Sequence, residues 1–343
     1  MSVSSIMVGQ LSDGRLQLFA STGGEFYNSW KESVDSSASW TKWSSFDRND
    51  FVGIGQGSAP RLLTGDAIGE LQLFTLAQQL SEVDVTGGPD VGTTWKLSFD
   101  PNAGWSDWEI FYAATKGPPG SPNSGISSVA AAPLSDSRIQ VFMMEIGQSG
   151  APTRLMTSWQ QVPAGWVNAQ PFTPQPSETL SSLTAGALSD GRLQLWGSGT
   201  SGIWTTWKES SDPNSAWSEW SLFQSFQSAI RYRPTTALSV GRLPDGRLQL
   251  WASAQEDDLP NGWTAFSCWK STVDPNSPWT AWQQFPDTEQ FFSAGIQSFA
   301  VAPLSDGRLQ LWGIDGNRAL FSTWKLTTDP NSAWAPWSTF PGP

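Results

Sequence analysis

Apolar and polar side chains alternate with a period of two residues at six places along the chain. In the clearest copy, residues 192–196 (Arg-Leu-Gln-Leu-Trp), the two leucines occupy one face of an extended strand and the other three side chains occupy the opposite face. The equivalent apolar residues are Leu16, Leu71, Ile139, Leu193, Leu248 and Leu309. A pattern that recurs about every 55–60 residues indicates one structural unit used six times.

A segment rich in Ala, Gly, Ser and Val precedes each alternating strand, as at 5–11, 127–134, 182–188 and 298–304. Small side chains suit an innermost strand, where neighbouring units crowd around a common axis. Asp-Gly joins the two strands at 13–14, 190–191, 245–246 and 306–307. Between apolar segments this dipeptide predicts a two-residue hairpin turn with both residues at positive φ.

Two more phrases complete the unit. Thr-Trp-Lys predicts a third strand, and Asp-Pro-Asn-Ser-Ala-Trp predicts a turn with Asp first and Pro second. A fourth strand is then expected, as at 217–223. In its Trp-x-x-Trp motif, residues three apart on a strand face opposite ways. Trp217 and Trp220 are therefore not expected to contact the same neighbouring unit.

Six four-stranded antiparallel units predict an all-β fold, a six-bladed β-propeller in a single domain, 1–343. The expected blades are 1–46, 54–111, 123–172, 179–223, 234–285 and 295–340. Each blade supplies its own four strands, so side-chain packing between the first and last blades should close the ring.

The third unit departs most from the pattern. It has Gln160 in place of the lysine, lacks Asp-Pro-Asn, and has Ala169 in place of the last tryptophan. A Gly/Pro-rich insert, 117–122, lengthens it. We expect this unit to contribute a poor site or none.

Charge and composition exclude several function classes. The net charge is −12 and the pI about 4.4, which argues against a nucleic-acid partner. Histidine is absent, which removes imidazole catalysis and His-ligated metal sites, and the single Cys268 cannot form an intramolecular disulfide. We therefore predict no metal and no cofactor.

The sequence pattern also bears on secretion and membrane insertion. Residues 1–10 lack a basic segment and an apolar run, so no secretory signal is expected. No stretch approaches about 20 apolar residues, so no membrane span is expected. We predict that the protein is synthesised in the cytoplasm. The alternative is that it is then released by a non-classical route and acts outside the cell on host or foreign glycans.

Three linked phrases, Ser-Asp-Gly-Arg-Leu-Gln-Leu-Trp, Thr-Thr-Trp-Lys and Asp-Pro-Asn-Ser-Ala-Trp-Ser-x-Trp, cover nearly the whole chain. Their combination resembles the PLL-like (Photorhabdus-type) bacterial β-propeller lectins. That resemblance implies binding of L-fucose and related, including O-methylated, sugars in shallow pockets between neighbouring blades. It also implies a homo-oligomer, because family members are often oligomeric. Since family members generally have seven blades, the resemblance gives a seven-bladed ring with one decayed unit as the alternative to six blades.

The repeated Trp, Asp and Asn side chains are the candidate carbohydrate-binding residues. An indole can stack on the C–H face of a sugar while polar side chains bond its hydroxyls. The first expectation for the Asp and Asn side chains is that they form turns, and for most of the tryptophans it is that they are buried in the core. Sugar binding is the alternative in both cases. The candidates are Trp30, Trp40, Trp95, Asp100, Asn102, Trp105, Trp207, Asp212, Asn214, Trp217, Trp269, Asp274, Asn276, Trp279, Trp324, Asp329, Asn331 and Trp334.

The charged residues of the repeat have structural expectations. The lysine should lie over a tryptophan or form a surface ion pair, and the arginine after Asp-Gly should pair across blades. We predict a multivalent, non-catalytic lectin for fucosylated or O-methylated glycans. One alternative is a propeller glycoside hydrolase, which needs two carboxylates placed once. Carboxylates outside the repeated phrases, such as Asp84, Asp90 and 256–258, are candidates for that pair, but their first expectation is to be solvated loop charges. The second alternative is a protein-binding scaffold, in which the loop residues should differ from one blade to the next.

Overall fold

The computed structural model describes thirteen ranges of the chain: 3–22, 25–46, 61–65, 70–77, 90–98, 100–113, 125–147, 153–162, 165–223, 232–256, 263–286, 291–292 and 295–343. The insert at 117–122, Asp84 and residues 257–258 lie outside the described residues. The fold is all-β, and its six four-stranded antiparallel sheets form a six-bladed β-propeller.

The first three blades comprise twelve strands in chain order. Blade 1 contains β1 (Ser5–Gln10), β2 (Leu16–Thr22), β3 (Glu25–Trp30) and β4 (Ser44–Ser45). Blade 2 contains β5 (Arg61–Gly65), β6 (Glu70–Ala77), β7 (Asp90–Trp95) and β8 (Glu109–Tyr112). Blade 3 contains β9 (Gly125–Pro133), β10 (Ile139–Ile146), β11 (Arg154–Trp159) and β12 (Gln170–Pro171).

The last three blades repeat this order. Blade 4 contains β13 (Ser182–Ala187), β14 (Leu193–Ser198), β15 (Ile203–Trp207) and β16 (Ser221–Leu222). Blade 5 contains β17 (Tyr232–Arg242), β18 (Leu248–Glu256), β19 (Trp263–Trp269) and β20 (Gln283–Gln284). Blade 6 contains β21 (Ile296–Pro303), β22 (Leu309–Asp315), β23 (Leu320–Trp324) and β24 (Ser338–Thr339).

The first strand of each blade is the innermost, as its small residues predict. Strands β1, β5, β9, β13, β17 and β21 contact one another in succession, and β21 contacts β1 to complete the circle. Every sheet consists of four consecutive strands, so no blade borrows a strand from another. The six-bladed prediction is confirmed.

The hairpin after the first strand differs from the predicted two-residue turn. The Gly14 N–H donates to the Leu11 carbonyl at 2.9 Å, and the Leu11 N–H donates to the Arg15 carbonyl at 2.7 Å. Only the glycine has positive φ (87° at Gly14), which is the three-residue loop whose last residue forms a bulge. In blade 3, Ser137 adopts φ 69° at the position of that glycine.

The hydrophobic core lies between the blades. Each of six apolar clusters is shared by two neighbours. In the cluster of blades 3 and 4, Leu193 and Leu195 pack towards blade 3, whereas Trp196 belongs to the cluster of blades 4 and 5. The two faces of β14 therefore serve different neighbours, as the alternation predicts.

The expectation for Trp-x-x-Trp is wrong. Both Trp217 and Trp220 pack on Phe172 of blade 3, with ring centroids 5.0 and 6.1 Å from it. Regular strand is confined to Ser221–Leu222, so the irregular backbone before it does not alternate its side chains. Trp279 and Trp282 clasp Phe223 of blade 4 in the same way. In the blades that contain the motif, it joins the blade to the preceding one around the ring.

Side chains and a backbone hydrogen bond close the ring. Trp40 of blade 1 lies 5.6 Å from Phe340 of blade 6, and the Trp43 Nε1–H donates to the Pro341 carbonyl at 2.7 Å. The Val3 N–H donates to the Arg318 carbonyl at 3.1 Å. The part of the chain that the structure describes contains no helix long and apolar enough to cross a membrane.

Candidate ligand-binding clefts between the blades

A cleft of about 410 Å³ opens between blades 1 and 2, and we call it cleft 1/2. Blade 1 contributes Gln17, Asn28 and Trp30, and blade 2 contributes Asn102 and Trp105. The third-strand tryptophan of one blade thus meets the Asp-Pro-Asn loop of the next. The predicted residues of a single unit therefore belong to two different clefts.

Buried amides form the base of cleft 1/2. The Gln17 Nε2–H donates to the Asn28 Oδ1 at 3.0 Å, and the Asn28 Nδ2–H donates to the Ser44 carbonyl at 3.2 Å. The Gln17 Oε1 is buried and has no hydrogen-bond partner among the described residues. Leaving such an acceptor unpaired costs free energy, so packing alone does not explain this glutamine.

The same glutamine recurs in each blade. In blades 2, 3 and 4 its Nε2–H donates to a threonine hydroxyl on the third strand, at 2.9 to 3.0 Å. The six residues are Gln17, Gln72, Gln140, Gln194, Gln249 and Gln310, all buried. The sequence analysis did not propose them, although a polar residue kept at the centre of every alternating strand was a visible signal.

The lysine of Thr-Trp-Lys lies over the first tryptophan of Trp-x-x-Trp, as predicted. The Lys96 Nζ is 5.3 Å from the Trp105 ring centroid, and corresponding distances in four other blades are 5.2 to 5.7 Å. Lys96 also donates to the carbonyls of Pro101 and Ala103, each at 2.8 Å. The ammonium thus fixes the loop that forms one wall of cleft 1/2.

Burial of these lysines alters their protonation. Desolvation lowers the pKa of Lys208 to about 8, despite the opposing effect of Asp212. Desolvation likewise lowers the pKa of Lys325 to about 8, against the effect of Asp329. The pKa values of Lys31 and Lys270 are lowered for the same reason.

The aspartates of Asp-Pro-Asn form turns, which was their first expectation. The Asp212 Oδ1 accepts the Asn214 N–H at 2.8 Å, and the other three blades with this motif repeat the bond at 2.8 to 2.9 Å. All four aspartates are exposed: Asp100, Asp212, Asp274 and Asp329. They hold the loop that presents the following asparagine.

The asparagines divide into two groups. Asn102 and Asn276 accept a hydrogen bond from an arginine of the preceding blade, Arg15 at 3.2 Å and Arg192 at 2.7 Å. The arginine therefore pairs across blades there, as predicted. Exposed Asn214 and Asn331 have no side-chain hydrogen bond among the described residues.

The tryptophans of the third strands are all half-buried: Trp30, Trp95, Trp159, Trp207, Trp269 and Trp324. Three of them, Trp159, Trp269 and Trp324, pack against the cluster shared with the next blade. Of the first Trp-x-x-Trp residues, Trp105 is buried and Trp40, Trp166, Trp217, Trp279 and Trp334 are half-buried. Part of an indole thus borders each boundary between blades.

A larger cleft, about 1030 Å³, lies between blades 2 and 3, and we call it cleft 2/3. Trp95, Gln72 and Thr93 of blade 2 occupy the positions of Trp30, Gln17 and Asn28 in cleft 1/2. Blade 3 contributes Arg138 and Trp166, among other residues. The same construction therefore recurs with a different second wall.

Comparisons with known proteins support the fold. No family model matches the chain, and no curated protein matches it. The structure is similar to that of the Aleuria aurantia lectin N224Q mutant in complex with alpha-methyl-L-fucoside (12% identity, TM-score 0.54, 99% of this chain and 96% of that chain covered).

Two further solved structures share the fold. One is Penicillium chrysogenum alpha-L-arabinanase complexed with arabinobiose (13% identity, TM-score 0.58, 99% and 93% covered). The other is the K499G mutant of NanB sialidase from Streptococcus pneumoniae (12% identity, TM-score 0.59, 93% of this chain and 66% of that chain covered). At these identities the similarity establishes the propeller architecture.

Proposed function

We propose that this protein is a multivalent, non-catalytic lectin that binds fucose-type and O-methylated sugars in the clefts between its blades. The observation that carries this proposal is the repeated cleft, in which a half-buried indole of one blade faces an Asn and a Trp of the next. An indole offers an apolar face for sugar C–H groups, and nearby amides offer donors and acceptors for hydroxyls. The choice of fucose-type sugars rests on the sequence resemblance.

Multivalency follows from the repetition. Third-strand tryptophans are present in six blades, and the Asp-Pro-Asn turn has the same geometry in four. A shallow site binds a monosaccharide weakly, but several sites engaging one glycan-coated surface gain affinity through high effective concentration. Near-identical loops also favour a small repeated ligand over a protein partner, for which each loop would differ.

The lining of the clefts favours binding over hydrolysis. Among the residues that line cleft 1/2 there is no Asp or Glu, and Glu109 is the one carboxylate among those that line cleft 2/3. Glycoside hydrolysis in its usual forms needs two carboxyl groups about 5–9.5 Å apart across the scissile bond. The sialidase and arabinanase similarity concerns the fold and does not supply such a pair.

A glycan array with fucosylated and O-methylated members, followed by calorimetry, tests the proposal. We expect binding with a stoichiometry above one sugar per chain and no product release from chromogenic glycosides. Absence of binding to every sugar would refute the lectin proposal. Release of product from a chromogenic glycoside would instead favour the hydrolase.

A further inference from the structure

Cleft 2/3 differs from cleft 1/2 in the loop that forms its second wall. In blade 2, eight residues separate Lys96 from Trp105, whereas in blade 3 five residues separate Gln160 from Trp166. Both pairs form the same isolated antiparallel bridge, so the positions correspond and the loop of blade 3 is shorter. The wall that Pro101, Asn102 and Ala103 build in cleft 1/2 is therefore reduced here.

A second difference enlarges the same cleft. The second tryptophan of the Trp-x-x-Trp motif is Trp108 in blade 2, three residues after Trp105. In blade 3 the corresponding residue is Ala169, three residues after Trp166, and Ala169 lines cleft 2/3. In other blades this second tryptophan packs on a phenylalanine of the preceding blade, as Trp220 does on Phe172. Replacing an indole by a methyl group leaves that space open at Phe111, which also lines the cleft.

The remaining lining combines aromatic faces with polar groups. Half-buried Trp95 and Trp166 both line the cleft, and the Trp166 and Phe111 ring centroids are 4.7 Å apart. Exposed Gln161 and Asn168 line it as well, and no side-chain hydrogen bond of either is found in the described part of the chain. These groups can stack sugar faces and bond hydroxyls.

Arg138 lines cleft 2/3 from blade 3, the second wall, whereas the arginine that lines cleft 1/2, Arg15, belongs to the first wall. The Arg138 Nε pairs with Asp136 at 2.7 Å and its Nη1 donates to the Gln160 carbonyl at 3.2 Å. In blade 5 the equivalent Arg247 donates to the carbonyls of Lys270 and Ser271, beneath a full-length loop. With the shorter loop, Arg138 lines the cleft.

We infer that cleft 2/3 is an extended subsite for an oligosaccharide of two or more sugar units, whereas cleft 1/2 takes a single terminal sugar. The inference rests on the proposed lectin function. The volume of cleft 2/3, about 1030 Å³, is more than twice the 410 Å³ of cleft 1/2 and lies at the upper end of the range of about 300–1,000 Å³ that ligand sites span. The departures of the third unit thus build a larger site, in place of the poor site that the sequence predicts.

Ala169→Trp tests the inference, because it restores the side chain found in the other units and fills part of the cleft. An array of mono- to tetrasaccharides, including fucosylated and O-methylated members, is screened with wild type and variant. Calorimetry follows with the best monosaccharide and the best oligosaccharide. We expect wild type to bind the oligosaccharide more tightly, and A169W to weaken that binding at least tenfold while changing monosaccharide affinity less than twofold.

A second pair of variants guards against misfolding of A169W. Trp95→Ala removes the third-strand indole of cleft 2/3, and Trp207→Ala removes its equivalent in blade 4. Loss of the oligosaccharide preference in W95A but not in W207A supports the inference. Equal losses in both, or oligosaccharide binding no tighter than monosaccharide binding, would overturn it and leave the lectin proposal intact. Wild type that binds no sugar would overturn both.

Discussion

The guanidinium Nη2 of Arg192 donates to the side-chain oxygen of Asn276 across the boundary between blades 4 and 5, at 2.7 Å. The same arginine pairs with Asp190 in its own hairpin, at 2.6 Å. A residue proposed from the sequence as a sugar ligand is thus held by a neighbouring blade. Asn214, with the same place in its repeat, lacks such a bond in the described structure.

Asn276→Ala and Asn214→Ala should therefore differ in their effect on stability. N276A loses a charge-assisted bond, and we expect the free energy of unfolding to fall by about 0.5–1 kcal/mol. N214A should leave it unchanged within about 0.5 kcal/mol. Urea unfolding midpoints of both variants provide the comparison; equal midpoints would mean that the Arg192 bond contributes nothing in solution.

The two kinds of tryptophan in blade 4 should respond differently to truncation. Trp207 is half-buried, whereas Trp196 is fully buried and packs against Trp279, 5.6 Å away between ring centroids. We expect W196A to lose about 3–5 kcal/mol of stability. W207A should keep most of its stability and lose about one sugar site per chain by calorimetry.

Trp204 is the matched control for W207A. It lies on the same strand, and its Nε1–H donates to Glu178, a residue at the entry to blade 4. W204A should lower the melting temperature but keep the wild-type number of sugar sites. A stoichiometry that fell equally in both variants would contradict a site at Trp207.

Restoring the glycine of the hairpin in blade 3 should stabilise the protein. Ser137 has φ 69°, in the left-handed region that costs a residue with a side chain roughly 1 kcal/mol. We expect S137G to raise the free energy of unfolding by about 0.5–1 kcal/mol. Gly191→Ser, at φ 85° in blade 4, should lower it, because the added Cβ would also lie 3.1 Å from Ser135. Calorimetric melting of both variants tests the pair.

Stability should depend on pH through Lys208. Its pKa is lowered by burial to about 8 from 10.5, so the folded state releases the proton more readily than the unfolded chain. The resulting destabilisation is fully present below pH 8 and is relieved as the pH rises towards 10.5. The stability of wild type relative to Lys208→Met should therefore increase over that range.

Urea unfolding at pH 7, 8, 9 and 10 measures this difference. Lys42→Met, at an exposed lysine, corrects for the loss of one positive charge. A wild-type advantage over K208M that stays constant across the series would show that the Lys208 ammonium keeps its usual protonation in the fold.

The repeat itself made the architecture predictable. Alternation in residues 192–196 predicted which side chains of β14 share a face, and the small residues of the first strands predicted the inner ring. The path of the chain between Trp217 and Ser221 was not predictable in this way. There the backbone leaves the extended conformation, and packing on Phe172 decides where both tryptophans point.

The candidate site was predicted only in part. The sequence predicted Trp residues of five units and Asp and Asn residues of four of them, but Trp95 and Asn102 line clefts on opposite sides of blade 2. Partners across a boundary are set by the position of one blade against the next, which spacing within a unit does not contain. Gln17 was missed because a polar residue between two leucines was interpreted only as part of an alternating strand.

Five of the six boundaries join blades that are consecutive along the chain, while the boundary between blades 6 and 1 is held by side chains and a few hydrogen bonds, such as that from Arg308 to Ser36 at 3.2 Å. When a boundary separates, a linker keeps its two blades close, whereas blades 6 and 1 can drift apart. We therefore expect the ring to open locally at the boundary between blades 6 and 1 more often than at the others. The amide hydrogens of β1 and β21 should then exchange with deuterium sooner than those of β13.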